Sequence, residues 1–410
     1  MTDGQKITHL LSRATFGPKP GDAALVQKMG TGPYVDQQLH FEHIDDTATG
    51  ARLLPFKTLR MSLDEVFAIN PPRPLLMELA AQKIIRAVYS EHQLHEVMTD
   101  FWYNHFNVFW GKGADRWLTT DFELNAIRPH AMARFKDLLL ATAKSPAMLF
   151  YLDNYISTTQ RAGINENYAR ELMELHTMGV DGGYTEQDVR EVARAFTGWS
   201  IRRPRQSGRF MFRPRMHDDN EKTVLGHKLK AGGGIRDGET VIGILAGHPS
   251  TARFIAFKLV RRFVSDSPPA SLVNKVASVF AETAGNIREM LRTILTSAEF
   301  YAPEAHLAKT KSPFELAVSA IRALNGNTDG SRRLAQMIAR MGQPLYQYQP
   351  PTGFPDGADH WITNGTLIER LNFGIALAAN RIPGTGVDIG AFGDFQAAAI
   401  HLGSEEFQKR

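Results

Sequence analysis

The sequence predicts a mainly α protein, one large helical bundle with a small β-hairpin insertion at about 200–235. Three observations carry that expectation. Apolar residues recur at helical spacing over most of the 410 residues. Start and stop signatures bracket those stretches, among them Ser145-Pro146, Thr185 ahead of Asp188, and Gly179 after a long periodic run. The sequence shows no Val/Ile-rich parallel strands, repeats, low-complexity tract or clear linker. One domain over 1–382 follows, with a peripheral segment over 383–410.

Taken in order, residues 4–14 read as a helix that Phe16-Gly17-Pro18 stops. Pro20-Gly21-Asp22 opens a second, through Val26 to Met29, and a third follows at 34–39. Residues 42–72 read as irregular, and Asn70-Pro71-Pro72-Arg73-Pro74 as a stiff connector. A long helix at 75–90 follows from apolar spacing. Residues 93–110 make the most aromatic helix (Phe101, Trp102, Tyr103, Phe106, Phe109, Trp110), ended by Gly111-Lys112-Gly113. Helices are expected at 120–142 and 146–152, the latter capped by Ser145 with Pro146 in the first helical position. Residues 165–179 and 186–198 form a pair, with Thr185 capping the second.

Phe210-Met211-Phe212 and Thr223-Val224-Leu225 read as short strands around a turn at His217-Asp218-Asp219-Asn220. Gly232-Gly233-Gly234 is a loop. Helices then run at 238–247, 250–264, 269–283, 286–298, 312–324, 331–342 and 362–381, with proline-bearing 347–357 between the last two. Residues 383–410 are glycine-rich, then helical.

Composition excludes several functions. Lys and Arg number 47 against 43 Asp and Glu, a net charge of +4 that is small for this length. Nucleic-acid binding is therefore not expected, although the pI is about 9.1. Cysteine is absent, which rules out disulfides, thiol nucleophiles, iron–sulfur clusters and thiolate zinc sites. No charged start with an apolar run opens the chain, and no stretch approaches the roughly 20 apolar residues of a membrane span. The expectation is a cytoplasmic protein without a membrane span, or a periplasmic or secreted one if a leader has been trimmed away. No phosphate-binding loop and no Gly-x-Ser-x-Gly elbow occurs.

The stretch richest in chemistry is 165–179. Asn167, Arg170, Glu171 and Glu174 are spaced three and four apart and share a helix face. Tyr168, Leu172 and Leu175 form an apolar stripe beside them. Carboxylates at i and i+3 rise about 4.5 Å along one face, which suits shared coordination of an ion. The same residues also read as structural ion pairs, Arg170 with Glu174, and Glu171 satisfied by Asn167 or Arg194. His105, beside Asn104 and Asn107, is a candidate imidazole ligand, or a core histidine bonded to a backbone carbonyl. His95 lies about 15 Å along the same helix and cannot share an ion with it.

His176 sits about 140° round the helix from Glu171 and packs inward or caps C-terminal carbonyls. His217-Asp218 offers an imidazole and a carboxylate from outside the bundle, or simply a turn. Lys222 pairs Asp218 or meets an anionic substrate. Asp181 to Asp188 matches only the second half of a calcium loop and reads as a capped helix–turn–helix. The arginines at 202, 203, 205, 209, 213 and 215 read as a solvated strand edge, or as a dock for an anionic polymer, headgroup or acidic partner.

The leading expectation is a metal-dependent enzyme. His105, Glu171, Glu174, His217 and Asp218 would hold a divalent ion (Zn, Mn or Fe) that activates water or oxygen. Glu171, Glu174, Arg170 and Lys222 would be catalytic, with Asn104, Asn167 and His176 around them. Hydrolysis of an anionic small molecule or polymer comes first, and non-haem iron oxidation is the alternative. A haem on a single histidine lacks an attachment motif. The other class is a non-catalytic binding or partner protein with a buried polar network and an arginine-rich docking edge.

Several blocks lie in collinear order: His9-Leu10-Leu11-x-Arg13-Ala14-Thr15-Phe16-Gly17, Phe101-Trp102-x-Asn104-His105-Phe106, and Asn165-Glu166-Asn167-x-Ala169-Arg170-Glu171-Leu172-x-Glu174-Leu175-His176-Thr177-x-Gly179. Gly183-Tyr184-Thr185-x-x-Asp188-Val189, Thr197-Gly198-Trp199, His217-Asp218 with Lys222, and Lys311-Ser312-Pro313-Phe314-Glu315 follow. Together they resemble a widespread bacterial domain-of-unknown-function family over nearly the whole chain. The resemblance implies a family and not an activity. It also implies frequent export and a secreted sulfatase-like partner encoded alongside. This sequence departs from it in lacking an export signal.

Overall fold

Helix starts in this chain are set by local chemistry. Thr2, Ser62, Thr185, Ser312 and Thr363 each close a capping box on the third residue of the following helix. The structure is a computed structural model and describes residues 1–160 and 163–410. Helices at Asp3–Ala14, Asp22–Met29 and Thr31–Leu39 match the apolar spacing. The 42–72 segment is less irregular than expected, because Thr47–Leu53 and Leu63–Phe67 are helical. Elements this short do not repeat an apolar spacing, so periodicity cannot reveal them.

Arg73–Tyr89 and Gln93–His105 follow, the second with all but two of its side chains buried. This aromatic helix stops at His105 rather than at 110. Beyond it, Asn107 Nδ2 donates to the carbonyls of Tyr348 (2.9 Å) and Pro350 (2.8 Å). The Trp110 N–H donates to the Tyr346 carbonyl at 2.9 Å. Tertiary partners thus replace helical ones. The helix expected at 120–142 is also broken. Asp115–Asp121 passes into a π-helical turn at Phe122–Ile127 and a 3-10 turn at Arg128–His130, where Pro129 has no N–H to give. Phe135–Lys144 and Pro146–Tyr151 come next.

The 165–179 stretch is Asn167–Glu171 running into a second π-helical turn, Leu172–Thr177. Gly179, at φ +83°, lies just beyond it in the left-handed conformation that ends helices. Glu186–Phe196 packs beside it. The two strands expected to flank one turn belong instead to separate antiparallel hairpins, Trp199–Arg202 with Arg209–Phe212 and Lys222–Val224 with His227–Leu229. Later helices fall where the spacing places them: Ile235–Ala246, Pro249–Phe263, Ala270–Glu282, Ile287–Leu295, Pro313–Ala323, Arg332–Arg340 and Asn364–Ala378.

A single cluster of buried apolar side chains extends from Leu10 to Leu402, so the chain is one helical domain. The 383–410 segment is exposed over much of its length, but its end is built into the body. Gln408 and Arg410 are buried, and the backbone of Arg410 exchanges both hydrogen bonds with Lys309. Among the described residues no helix is long and apolar enough to cross a membrane.

Candidate functional site: a buried cationic cavity

The residues that the sequence gathers make contacts in several parts of the structure. Arg170 pairs with Glu186 at 2.8 and 2.9 Å, with Glu174 at 3.4 Å and with Glu166 at 3.6 Å. This is a partly exposed ion-pair cluster across the two helices, of a kind that contributes little stability. Glu171 is half-buried; burial raises its pKa, adjacent Glu174 adds to that, and Arg170 opposes. Asn167 Nδ2 donates to the Leu152 carbonyl at 3.3 Å.

His105 is buried and its Nε2 donates to the His176 carbonyl at 3.1 Å. That carbonyl lies at the end of a helix, where the last C=O groups lack intrahelical donors. Burial holds the His105 pKa well below its ordinary value, with Lys258 adding to that. The His176 imidazole lies 5.0 Å from the Phe106 ring, and burial lowers its pKa to about 3. Asn104 belongs to neither: it holds the backbone of Phe354 with both ends of its amide, at 2.9 and 2.8 Å.

His217, Asp218 and Lys222 form a separate buried network. His217 Nδ1 donates to the Thr197 carbonyl at 2.8 Å and Nε2 faces Asp237 at 3.2 Å. Lys222 Nζ bonds Asp237 at 2.7 Å and the carbonyls of Asn220 (2.9 Å) and Asp218. Arg194, expected near Glu171, instead donates to Asp218 at 2.7 Å and to Glu191. Burial raises the Asp218 carboxyl, but Arg194 and the Asn220 N–H outweigh it and hold the pKa at about 2. Of the hairpin arginines, Arg209 pairs with Asp64 at 2.6 Å.

His105 Nε2 and both His217 nitrogens are engaged by protein groups, Arg194 pairs with Asp218, Lys222 pairs with Asp237 beside His217, and Glu174 pairs with Arg170. Among the described residues, no group of three or more His, Asp or Glu side chains is placed to hold an ion.

Other polar groups converge elsewhere. A cavity of about 80 Å³ opens between the Gln93–His105, Pro249–Phe263 and Pro313–Ala323 helices, the 347–357 loop and Arg410. That is room for a few waters or one oxyanion group. Asp100, Tyr103 and Asn104 enter from the first helix, Arg262 from the second and Glu315 from the third. Asn104 fixes the loop that closes one side. Gly353 lies so close to the Asn104 carbonyl that a Cβ there would collide with it, and its φ is +70°.

The charges at this cavity are unequal: Lys83, Arg262, Lys309 and Arg410 line it against Asp100, Glu315 and Asp356. One carboxylate oxygen, Glu315 Oε1, receives both Arg262 Nη2 (2.8 Å) and Arg410 Nη2 (3.1 Å). Its second oxygen accepts the Ser312 N–H at 2.9 Å. Arg262 Nη1 and Arg410 Nε are buried with no partner among the described residues, although these side chains are only 7% and 5% exposed as residues. Lys309 also lines the cavity and pairs with Asp266. Behind this wall stand Arg13, Lys311 and Arg370, each buried. Arg13 spends Nη2 on the Ala305 carbonyl at 2.8 Å and leaves Nε and Nη1 unpartnered among the described residues.

The electrostatic consequences are consistent. Burial and then Arg410 lower the Lys309 pKa to about 8. Burial lowers Lys311 to about 7, with Arg410 and Arg370 adding to that against Glu315. Glu315 is pulled the other way: burial raises it, and Arg410 and Arg262 overcome that and hold it at about 2. A buried excess of positive charge with unused donors is an arrangement that accepts a carboxylate, phosphate or sulfate.

Sequence reasoning assigned no chemistry to Arg13, Arg262, Lys309, Glu315 or Arg410. Their signal was a charge inside an apolar run, as in Leu259-Val260-Arg261-Arg262-Phe263-Val264 and Pro313-Phe314-Glu315-Leu316-Ala317. A buried charge needs a partner, and here several share one.

The blocks that contribute to this region, containing Arg13, Asn104 and Glu315, are far apart in the chain and meet only in three dimensions. Comparisons with curated proteins and with solved structures returned no match. A family described as "Protein of unknown function (DUF1800)" matches residues 9–408, which takes in every residue that lines the cavity except Arg410, so the chain belongs to the DUF1800 family.

Proposed function

We propose that the protein binds a small oxyanion-bearing ligand in the cavity of Arg262, Lys309, Glu315 and Arg410. The observation that carries this reading is the pair of buried guanidinium nitrogens, Arg262 Nη1 and Arg410 Nε, without an acceptor among the described residues. A buried unsatisfied donor costs about 1–3 kcal/mol, and more when charged. An anion in the cavity would satisfy both and offset the repulsion among the cations behind them. The anionic ligand expected from the sequence is thus retained, with its binding groups at a different place. Lys309, with its lowered pKa, is the cavity group best suited to exchange a proton with a bound ligand near neutral pH.

Thermal denaturation in phosphate or sulfate against chloride of equal ionic strength tests the reading. At a hundredfold excess over Kd, a bound anion adds about 2.7 kcal/mol, worth several degrees in Tm. Sulfate also stabilises proteins without a site, so the Arg262→Gln variant provides the contrast. The wild type should gain more than the variant. Equal gains would remove the cavity from the account.

A further inference from the structure

A second concavity lies on the other side of Leu345, which lines both. It is a groove of about 490 Å³ between the first two turns of Arg73–Tyr89, the Arg332–Arg340 helix and the segment around Trp110. Its floor and walls are apolar, with Leu76, Met77 and Trp110 prominent. The charged side chains that line it are Arg73, Arg116 and Arg332, and no Asp or Glu lines it among the described residues. Arg73 and Arg332 are also the first residues of their helices, so two positive helix ends add to the three guanidiniums. Arg116 lies over the Trp110 ring at 5.8 Å, which joins the charged rim to the apolar wall.

The volume falls in the usual range for small-molecule sites, about 300–1,000 Å³. An apolar trough with a rim of one sign selects a ligand with both characters. We propose that this groove binds a free single-chain amphiphilic anion, its chain against Leu76, Met77 and Trp110 and its head at Arg73, Arg116 and Arg332. The site is separate from the cationic cavity and does not depend on the reading given to it.

Decanoate, below its micelle concentration, is the probe, with uncharged 1-decanol as the comparison. Binding is read by calorimetry and by Trp110 fluorescence, isolated with Trp110→Phe. Decanoate should bind saturably, at least tenfold more tightly than decanol. The triple variant Arg73→Gln/Arg116→Gln/Arg332→Gln should weaken it at least tenfold. Met77→Glu, at a position 41% exposed and therefore tolerant of substitution, should abolish binding with the fold intact. Ile368→Ser, on an exposed apolar face of the Asn364–Ala378 helix, should leave it unchanged. Absence of saturable binding, equal affinity for decanol, indifference to the arginines, or binding to anionic vesicles in place of monomeric decanoate would each overturn the proposal.

Discussion

Glu315 is the residue on which the cationic cluster turns, since its single carboxylate serves Arg262 and Arg410 together. Removing one partner of a buried pair typically costs about 3–5 kcal/mol, because the other charge is left uncompensated. Glu315→Gln should therefore destabilise the protein by about that amount in chloride. If the cavity accepts anions, phosphate should restore more stability to this variant than to the wild type; denaturant titrations with and without phosphate compare the two.

The lysines give a pH signature of the same cluster. Folded pKa values of about 8 for Lys309 and about 7 for Lys311 lie below the ordinary value of 10.5. Below pH 7 both states hold these protons and the cost of burying them is fully present. As pH rises through 7–8 the native state releases protons that the unfolded chain keeps, so the unfolded state binds more protons and stability rises with pH. Tm should climb between pH 7 and 9.5, and Lys309→Met with Lys311→Met should flatten the climb. Anion affinity, measured by calorimetry, should fall as pH passes about 8 and Lys309 loses its charge.

At the scale of elements, the Gln93–His105 helix connects local sequence to the site. Its early stop releases residues 106–110 to pair with the 344–350 segment, and Asn104 clamps Phe354. Asn104→Ala removes two hydrogen bonds that hold the cavity wall. It should cost about 2 kcal/mol and weaken anion binding, since each such bond contributes about 1 kcal/mol. His105, bonded to the end of the 165–179 stretch, should behave differently. His105→Ala should cost about 3 kcal/mol in stability, as large-to-small core changes do, with anion affinity preserved in the folded fraction.

Capping boxes such as Thr185 with Asp188 were legible in the sequence because they are local chemistry. The hairpin partners were not: strand propensity marks Phe210 to Phe212 and Thr223 to Leu225, but pairing depends on Trp199–Arg202 and His227–Leu229, which the spacing did not mark as strands. The early end of the aromatic helix was hidden for a related reason, since the carbonyls that the Trp110 N–H and the Asn107 amide reach lie more than two hundred residues away.

Across the whole molecule, fold class and most helix positions followed from apolar periodicity, and the family followed from collinear blocks. The site did not. Spacing along one helix correctly put Arg170 and Glu174 together, yet their neighbour is Glu186 on the next helix and not an imidazole. His217 and Lys222 do come together, through Asp237, which had no distinguishing context in the sequence. The cationic cavity joins Asp100, Arg262, Glu315 and Arg410, and no local pattern links residues separated by that much chain.

Anion binding in this cavity can be seen directly in a crystal grown in sodium selenate, whose selenium gives an anomalous signal. A peak is expected inside the cavity, with selenate oxygens within about 3 Å of Arg262 Nη1 and Arg410 Nε, the usual length of a charge-assisted hydrogen bond. Selenate confined to surface side chains, with only water between Arg262, Glu315 and Arg410, would contradict it.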